Sequence, residues 1–213
     1  LLKAEAAAGA LVPSEHFGVM LYEGNGSSGH SINGGKFGAA GYFNGSNSKI
    51  SSTLPNITGN PTFSISFWVN PTSTGTPIML GNASSGAAFL TFINSSNKLN
   101  FGRYGDSLGD STASVSNNTW THIAISNNAG SVQLYINGTA DLSFSTTYNI
   151  GSNNFYIGAA NTIQYFEGKI DQFRFFQKAL SSSEVSTLYA ETASTVESLD
   201  PLSEDTTDTL QVL

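Results

Sequence analysis

Cysteine is absent from the 213-residue sequence, which excludes a disulfide framework and a thiolate metal site and leaves burial as the source of stability. Charge is scarce too. Only 11% of the residues are Asp, Glu, Lys or Arg, so neutral Ser, Thr, Asn and Gly supply the polar surface, a pattern suited to an extracellular or virion setting. The eight basic residues are scattered singly from Lys3 to Lys178; without a basic stripe a nucleic-acid partner is rejected. No run approaches the ~20 apolar residues of a membrane span, so no membrane insertion is expected. Residues 1–12 are apolar and Ala-rich but lack the basic head and long apolar block of a signal peptide. The first residue is Leu rather than Met, as expected of a processed product or a piece of a longer chain.

What the chain has is aromatic surface and turns. Its 14 Phe, 8 Tyr and 2 Trp can fill one core, and this length suits a single all-β domain. Six of the 15 acids (Glu191, Glu197, Asp200, Glu204, Asp205 and Asp208) follow residue 190 with no Lys or Arg among them, so the net charge of −7 belongs to the tail and the body is nearly neutral. Residues 1–16 read as an N-terminal arm, 17–190 as the domain and 191–213 as an acidic C-terminal arm or linker. Arms of this kind order by docking on another surface, and neighbouring subunits in a homo- or hetero-oligomer are the expected partners.

Within 17–190 the apolar runs are short. Phe63-Ser-Ile-Ser-Phe-Trp-Val69 alternates, placing Phe63, Ile65, Phe67 and Val69 on one face and Ser64, Ser66 and Trp68 on the other, which reads as a half-buried strand. Asn44-Gly45 and Asn137-Gly138 sit between apolar runs and predict type I′ hairpins with antiparallel neighbours. Residues 103–118 read as a loop. Phe166 to Tyr189 is a glycine-entered aromatic strand running into a helix, with Ser181 and Glu184 as a capping box and Val185, Leu188 and Tyr189 at helical spacing. By strand parity Asp171 shares a face with Phe173 and Phe175. This rhythm, with one short C-terminal helix and no βαβ unit, predicts an all-β sandwich of two antiparallel sheets.

Six segments carry a resemblance: Tyr42-Phe-Asn-Gly45, Phe63 to Trp68, Trp120-Thr-His-Ile-Ala124, Leu134-Tyr-Ile-Asn-Gly138, Tyr156-Ile-Gly158, and Gly168-Lys-Ile-Asp171 with Ala179-Leu-Ser181. In this order they resemble the laminin-G-like jelly roll of the concanavalin A-like superfamily, over residues 37 to about 190. The wording from Gly168 to Tyr189 looks most like domains in virion proteins of marine bacteriophages. The resemblance implies a jelly-roll fold that hosts lectins, adhesion modules, glucanases and structural domains, so function must be read from the site.

Retaining glycosidases of that superfamily carry two carboxylates on one strand, and the expected Glu-x-Asp-x-(x)-Glu pattern is missing, as is a Gly-x-Ser-x-Gly elbow. No catalytic residue is therefore assigned and the chain is expected not to be an enzyme. His122 reads as a packed, satisfied histidine. Asp171 reads as a structural acid accepting backbone N–H bonds or facing Arg174 or Lys169. A second reading, implied by related jelly rolls, makes Asp171 a ligand of Ca²⁺; no other cofactor is required. Trp68 reads as covered by the 103–118 loop or, alternatively, as a sugar platform, with Arg103, Tyr104, Asp106 and Asp110 the best polar contacts for a glycan. Two functions follow: a non-catalytic virion-surface, fibre or decoration component assembled through its arms, or a secreted carbohydrate-binding lectin, with calcium assisting.

Overall fold

The computed structural model describes residues 34–192 other than 39, 83 and 85, together with the backbone of three short strands before them. Those strands are β1 (Leu2–Glu5) and β2 (Gly18–Leu21), paired with each other, and β3 (His30–Ser31). The chain continues through β4 (Ala40–Asn44), β5 (Ile50–Thr53), β6 (Phe63–Pro71), β7 (Ile78–Gly81), β8 (Ala88–Ile93), β9 (Leu99–Arg103) and β10 (Asp106–Asp110). It closes with β11 (Thr121–Asn128), β12 (Ser131–Ile136), β13 (Thr139–Ser145), β14 (Asn154–Ile157), β15 (Glu167–Phe176) and the helix α1 (Ser182–Tyr189). One sheet has the order β10-β9-β8-β7-β14-β5, the other β13-β12-β11-β6-β15-β4-β3, with every strand pair antiparallel. This is the predicted two-sheet jelly-roll sandwich. Residues 193–213 and most of 1–16 lie outside the described residues, and with them the expectation that arms dock on other subunits.

The sheets meet through the aromatics that the alternation assigned inward. Phe63 on β6 packs edge-on against Phe89 on β8 with centroids 5.4 Å apart, and Phe173 on β15 lies 5.0 Å from Phe155 on β14. Such pairs add about 0.5–1.5 kcal/mol each beyond area burial. Asn137-Gly138 forms the expected two-residue hairpin, with Ile136 opposite Thr139 and φ of 50° and 75° at the two turn residues.

Four local expectations change. Strand β6 is buried on both faces, not half-buried, because α1 and the segment leading to it lie across its outer side. Ser181 and Glu184 form the capping box, and Val185 and Leu188 bury against Ala124, Tyr135 and Phe176. Two outward serines are bonded by this cover: Ser64 Oγ donates to Lys178 O at 2.8 Å and accepts from Leu180 N at 2.9 Å, and Ser126 Oγ donates to Leu180 O at 2.8 Å.

Second, Asp171 does not share a face with Phe173 and Phe175. Asp171 pairs with Trp68 and Arg174 with Ser66, so Gln172 and Phe173 together oppose Phe67, a bulge in which Gln172 has φ 48°. The extra residue resets the parity, turning Phe173 and Phe175 into the core and leaving Asp171 and Arg174 on the outer side beside Trp68 and Ser66. Third, Asn44-Gly45 is no hairpin. It passes the chain from β4, paired with β15, to β5, paired with β14 in the other sheet, while Asn44 Oδ1 accepts from Ser46 N, Asn47 N and Ser48 N at 3.0–3.1 Å. Fourth, the 103–118 segment contains β10, which folds back on β9.

Candidate functional site

The outer side of the seven-stranded sheet is closed by its own chain. Trp68 is only 4% exposed: Tyr189 stacks on it at 5.7 Å, His122 lies at 5.2 Å, Phe37 meets it edge-on at 6.0 Å, and Lys36 Nζ sits 4.2 Å from its centroid. Its ring faces are taken, so it is no sugar platform. The cover is α1 and the 34–38 loop rather than residues 103–118.

Asp171 fastens that loop. Its Oδ2 accepts from the backbone N–H groups of Lys36 at 2.8 Å and Phe37 at 3.0 Å, and its Oδ1 accepts from Gln172 N at 2.7 Å and Gln172 Nε2 at 3.4 Å. Burial raises its pKa, and these bonds offset only part of the rise. A calcium site needs six to eight oxygens around the ion, whereas both Asp171 oxygens face N–H donors. The residues present do not fit the metal, so the calcium expectation at Asp171 is corrected to the structural role. Among the described residues no cluster of three or more His, Asp or Glu could hold a metal ion.

His122 is packed as expected, 1% exposed, but it is only half satisfied, since its Nδ1 is buried without a hydrogen-bond partner. Its Nε2 lies 2.9 Å from Ser66 Oγ, and burial followed by the charge of Arg174 lowers its pKa to about 3. So weak a base cannot activate Ser66 near neutral pH. Arg174 is itself committed, pairing with Glu191 at 2.7 Å.

The outer side of the six-stranded sheet is different. Met79, Ala88, Leu90 and Ala160 form a small apolar layer, with Phe92, Tyr104 and Tyr156 half-buried against it. The loop after β14 folds back across this layer, beginning at Gly158, where a Cβ would collide with the Phe43 ring. It closes a turn through Ala160 N to Ile163 O at 2.9 Å. Between this loop and the β9–β10 hairpin runs a groove of about 390 Å³. Leu90, Phe92, Asn100 and Gly102 floor it, Tyr104, Asp106 and Ser107 form one wall, and Ile163 and Gln164 form the other. Gly102 lets the turn into β10 lie close over the floor, since a Cβ there would meet the Asp106 carbonyl. Ile163, 44% exposed, presents an apolar side chain to solvent.

The polar groups of the groove are held by the hairpin. Asn100 Nδ2 donates to Ser107 Oγ and to Asp110 Oδ1, both at 2.6 Å, and Asn94 Nδ2 donates to Asp110 Oδ2 at 3.1 Å. Arg103 forms an ion pair with Asp106 across the strand pair. Arg103, Tyr104 and Asp106 thus line one groove as the sequence reading grouped them, and Asp110 braces it through Asn100. Trp68 belongs to the other sheet. Sequence reasoning missed Leu90, Phe92, Asn100, Ser107, Ile163 and Gln164. One signal was present: Phe89-Leu-Thr-Phe-Ile93 is apolar on both faces, as expected of a strand covered or used on its outer side.

With this geometry in hand, the sequence can be compared with known proteins. A profile of the family described as the concanavalin A-like lectin/glucanases superfamily, Laminin_G_3, matches residues 44–186. Domain 4 of AbnA, an extracellular arabinanase from Geobacillus stearothermophilus solved with arabinotriose, is similar at 26% identity and TM-score 0.63, covering 78% of this chain and 82% of that one. The Botulinum neurotoxin serotype D ligand-binding domain, solved with N-acetylneuraminic acid, is 24% identical with TM-score 0.53, covering 70% of this chain and 41% of that one. A Trypanosoma rangeli sialidase is 14% identical with TM-score 0.64, covering 84% and 33%. The chain therefore spans most of the arabinanase domain but well under half of the other two, and those two likenesses concern the fold alone. No curated protein matches significantly.

Proposed function

Because the chain belongs to the concanavalin A-like lectin/glucanase superfamily, we propose that its domain is a non-catalytic carbohydrate-binding module holding an oligosaccharide in the groove on the six-stranded sheet. One observation carries the reading: Phe92 and Tyr104 lie in the same groove as the fixed polar groups of Asn100, Asp106 and Ser107. A sugar ring offers aliphatic C–H faces that stack on aromatic rings and hydroxyls that need directed partners. The Asn100 amide N–H groups are used within the hairpin, which leaves its carbonyl oxygen as the acceptor for a hydroxyl. The similar arabinanase domain, solved with arabinotriose, supports a saccharide as the ligand class.

A binding rather than hydrolytic role is supported by the acids. Glycoside hydrolysis uses two carboxyl groups flanking the scissile bond, and among the described residues Asp106 is the only carboxylate lining the groove, already paired with Arg103. The virion or fibre reading rests on terminal arms outside the described residues, and none of the relatives above is a virion protein. We carry the lectin reading forward.

The test is a set of calorimetric titrations against neutral oligosaccharides, arabinotriose first. Tyr104→Ala is expected to weaken binding roughly tenfold, corresponding to about 1.4 kcal/mol, with a modest fall in melting temperature because the ring is half-buried against the layer of Met79, Ala88, Leu90 and Ala160. Equal affinity in wild type and Tyr104→Ala would remove the groove from the reading.

A further inference from the structure

We infer that the groove selects uncharged oligosaccharides and rejects those bearing uronate, sialate or sulfate groups. The inference rests on the groove being the saccharide site and adds to it the class of saccharide.

The discrimination is electrostatic. An anionic sugar is recognised by a guanidinium or ammonium free to form charge-assisted hydrogen bonds. Of the cations among the described residues, Arg103 alone lines the groove; its Nη2 is paired with Asp106, Nη1 reaches Thr147 O at 3.5 Å, and Nε is buried without a partner, out of reach of solvent. The others are committed elsewhere. Lys49, on the Tyr156 ring, donates to Asn161 O at 2.8 Å. Lys98 donates to Thr112 O, Lys169 to Gly34 O, and Lys36 lies over Trp68 on the opposite sheet. Arg174 pairs with Glu191 and Lys178 with Glu184.

The acids point the same way. Asp106 sits in the wall and Asp110 stands behind Asn100, bonded among the described residues to the Asn100 and Asn94 amides and to no cation. A carboxylate or sulfate entering the groove would find Arg103 and Asp106 neutralising each other and no other cation in the lining, while the uncompensated charge of Asp110 behind Asn100 adds like-charge repulsion. A neutral sugar meets the opposite situation, since ionised carboxylates are acceptors for its hydroxyl protons.

The experiment compares matched probes on the intact chain: arabinotriose and galactotriose against trigalacturonic acid, by calorimetry at low and high salt. Neutral trisaccharides are expected to bind at least about tenfold tighter than the uronate, with the gap narrowing as salt screens the acids. Asp106→Asn, which frees Arg103, is expected to raise uronate affinity severalfold. Uronate binding as tight as neutral binding, or an Asp106→Asn protein with an unchanged gap, would overturn the inference and leave the groove's saccharide role standing. Failure of every probe in both classes would overturn that role and the inference together.

Discussion

Asp171→Ala is expected to destabilise the native state by about 3–5 kcal/mol, measured by denaturant unfolding. The estimate follows from what the carboxylate holds. Three backbone N–H groups, of Lys36, Phe37 and Gln172, donate to it, and a hydrogen bond to a charged group contributes about 1.5–3 kcal/mol while an orphaned buried donor costs about 1–3 kcal/mol. Part is regained because the loop carrying Lys36 and Phe37 is half-buried and can rehydrate. The loop also carries the ring that meets Trp68 edge-on, so its release uncovers the indole and should red-shift tryptophan emission. Calcium and a chelator should leave wild-type stability equal, because both carboxylate oxygens already face N–H donors. A loss under about 1 kcal/mol would show that the loop is held by other contacts.

Acid should weaken the fold through His122, starting well above the usual carboxylate range. The folded pKa is about 3 against an unfolded value of 6.5, so the unfolded chain binds the proton first and stability falls as pH drops from 6.5 toward 3. The slope rises toward 1.36 kcal/mol per pH unit below the unfolded pKa, which makes the loss between pH 6.5 and pH 5 about 1.6 kcal/mol. Glu184, whose pKa falls because bonds from Lys178 and Ser181 outweigh the rise from burial, loses its contribution only below its unfolded value of 4.5. Asp171, with a raised pKa, works in the opposite sense: its charge is unfavourable at neutral pH and its protonation in acid offsets part of the loss. His122→Gln separates these. It keeps a partner for Ser66 without a titrating proton, and its stability should lack the wild-type fall between pH 7 and pH 5. An equal slope in wild type and variant would assign the acid sensitivity to another group.

The alternation of Phe63, Ile65, Phe67 and Val69 and the Ser181 capping box were enough to place the core and the closing helix, because burial period and cap chemistry are local properties. The other face of β6 was not legible. Ser64 and Ser66 read as the open side of a half-buried strand, and Trp68 as covered by the wrong segment, because polarity in sequence does not say which later segment will lie across a face, and here Lys178, Leu180 and Tyr189 do. Parity failed at Asp171 for a related reason: Gln172 bears no mark of the positive φ that inserts it as a bulge. In the groove, Arg103, Tyr104 and Asp106 were legible as clustered polar and aromatic residues. Asn100 and Ser107 depended on the β9–β10 pairing, and Ile163 and Gln164 come from a loop some sixty residues away in sequence. Trp68 was drawn into the same set by chemistry alone, and topology puts it in the other sheet.

The most direct measurement is backbone amide chemical-shift mapping during titration with a neutral oligosaccharide. Saturable shifts are expected at residues 90–92, 100–107 and 163–164, with the amides around Trp68 unmoved. Shifts gathered instead around Phe37, Trp68 and Tyr189, with the groove amides silent, would contradict a saccharide site on the six-stranded sheet.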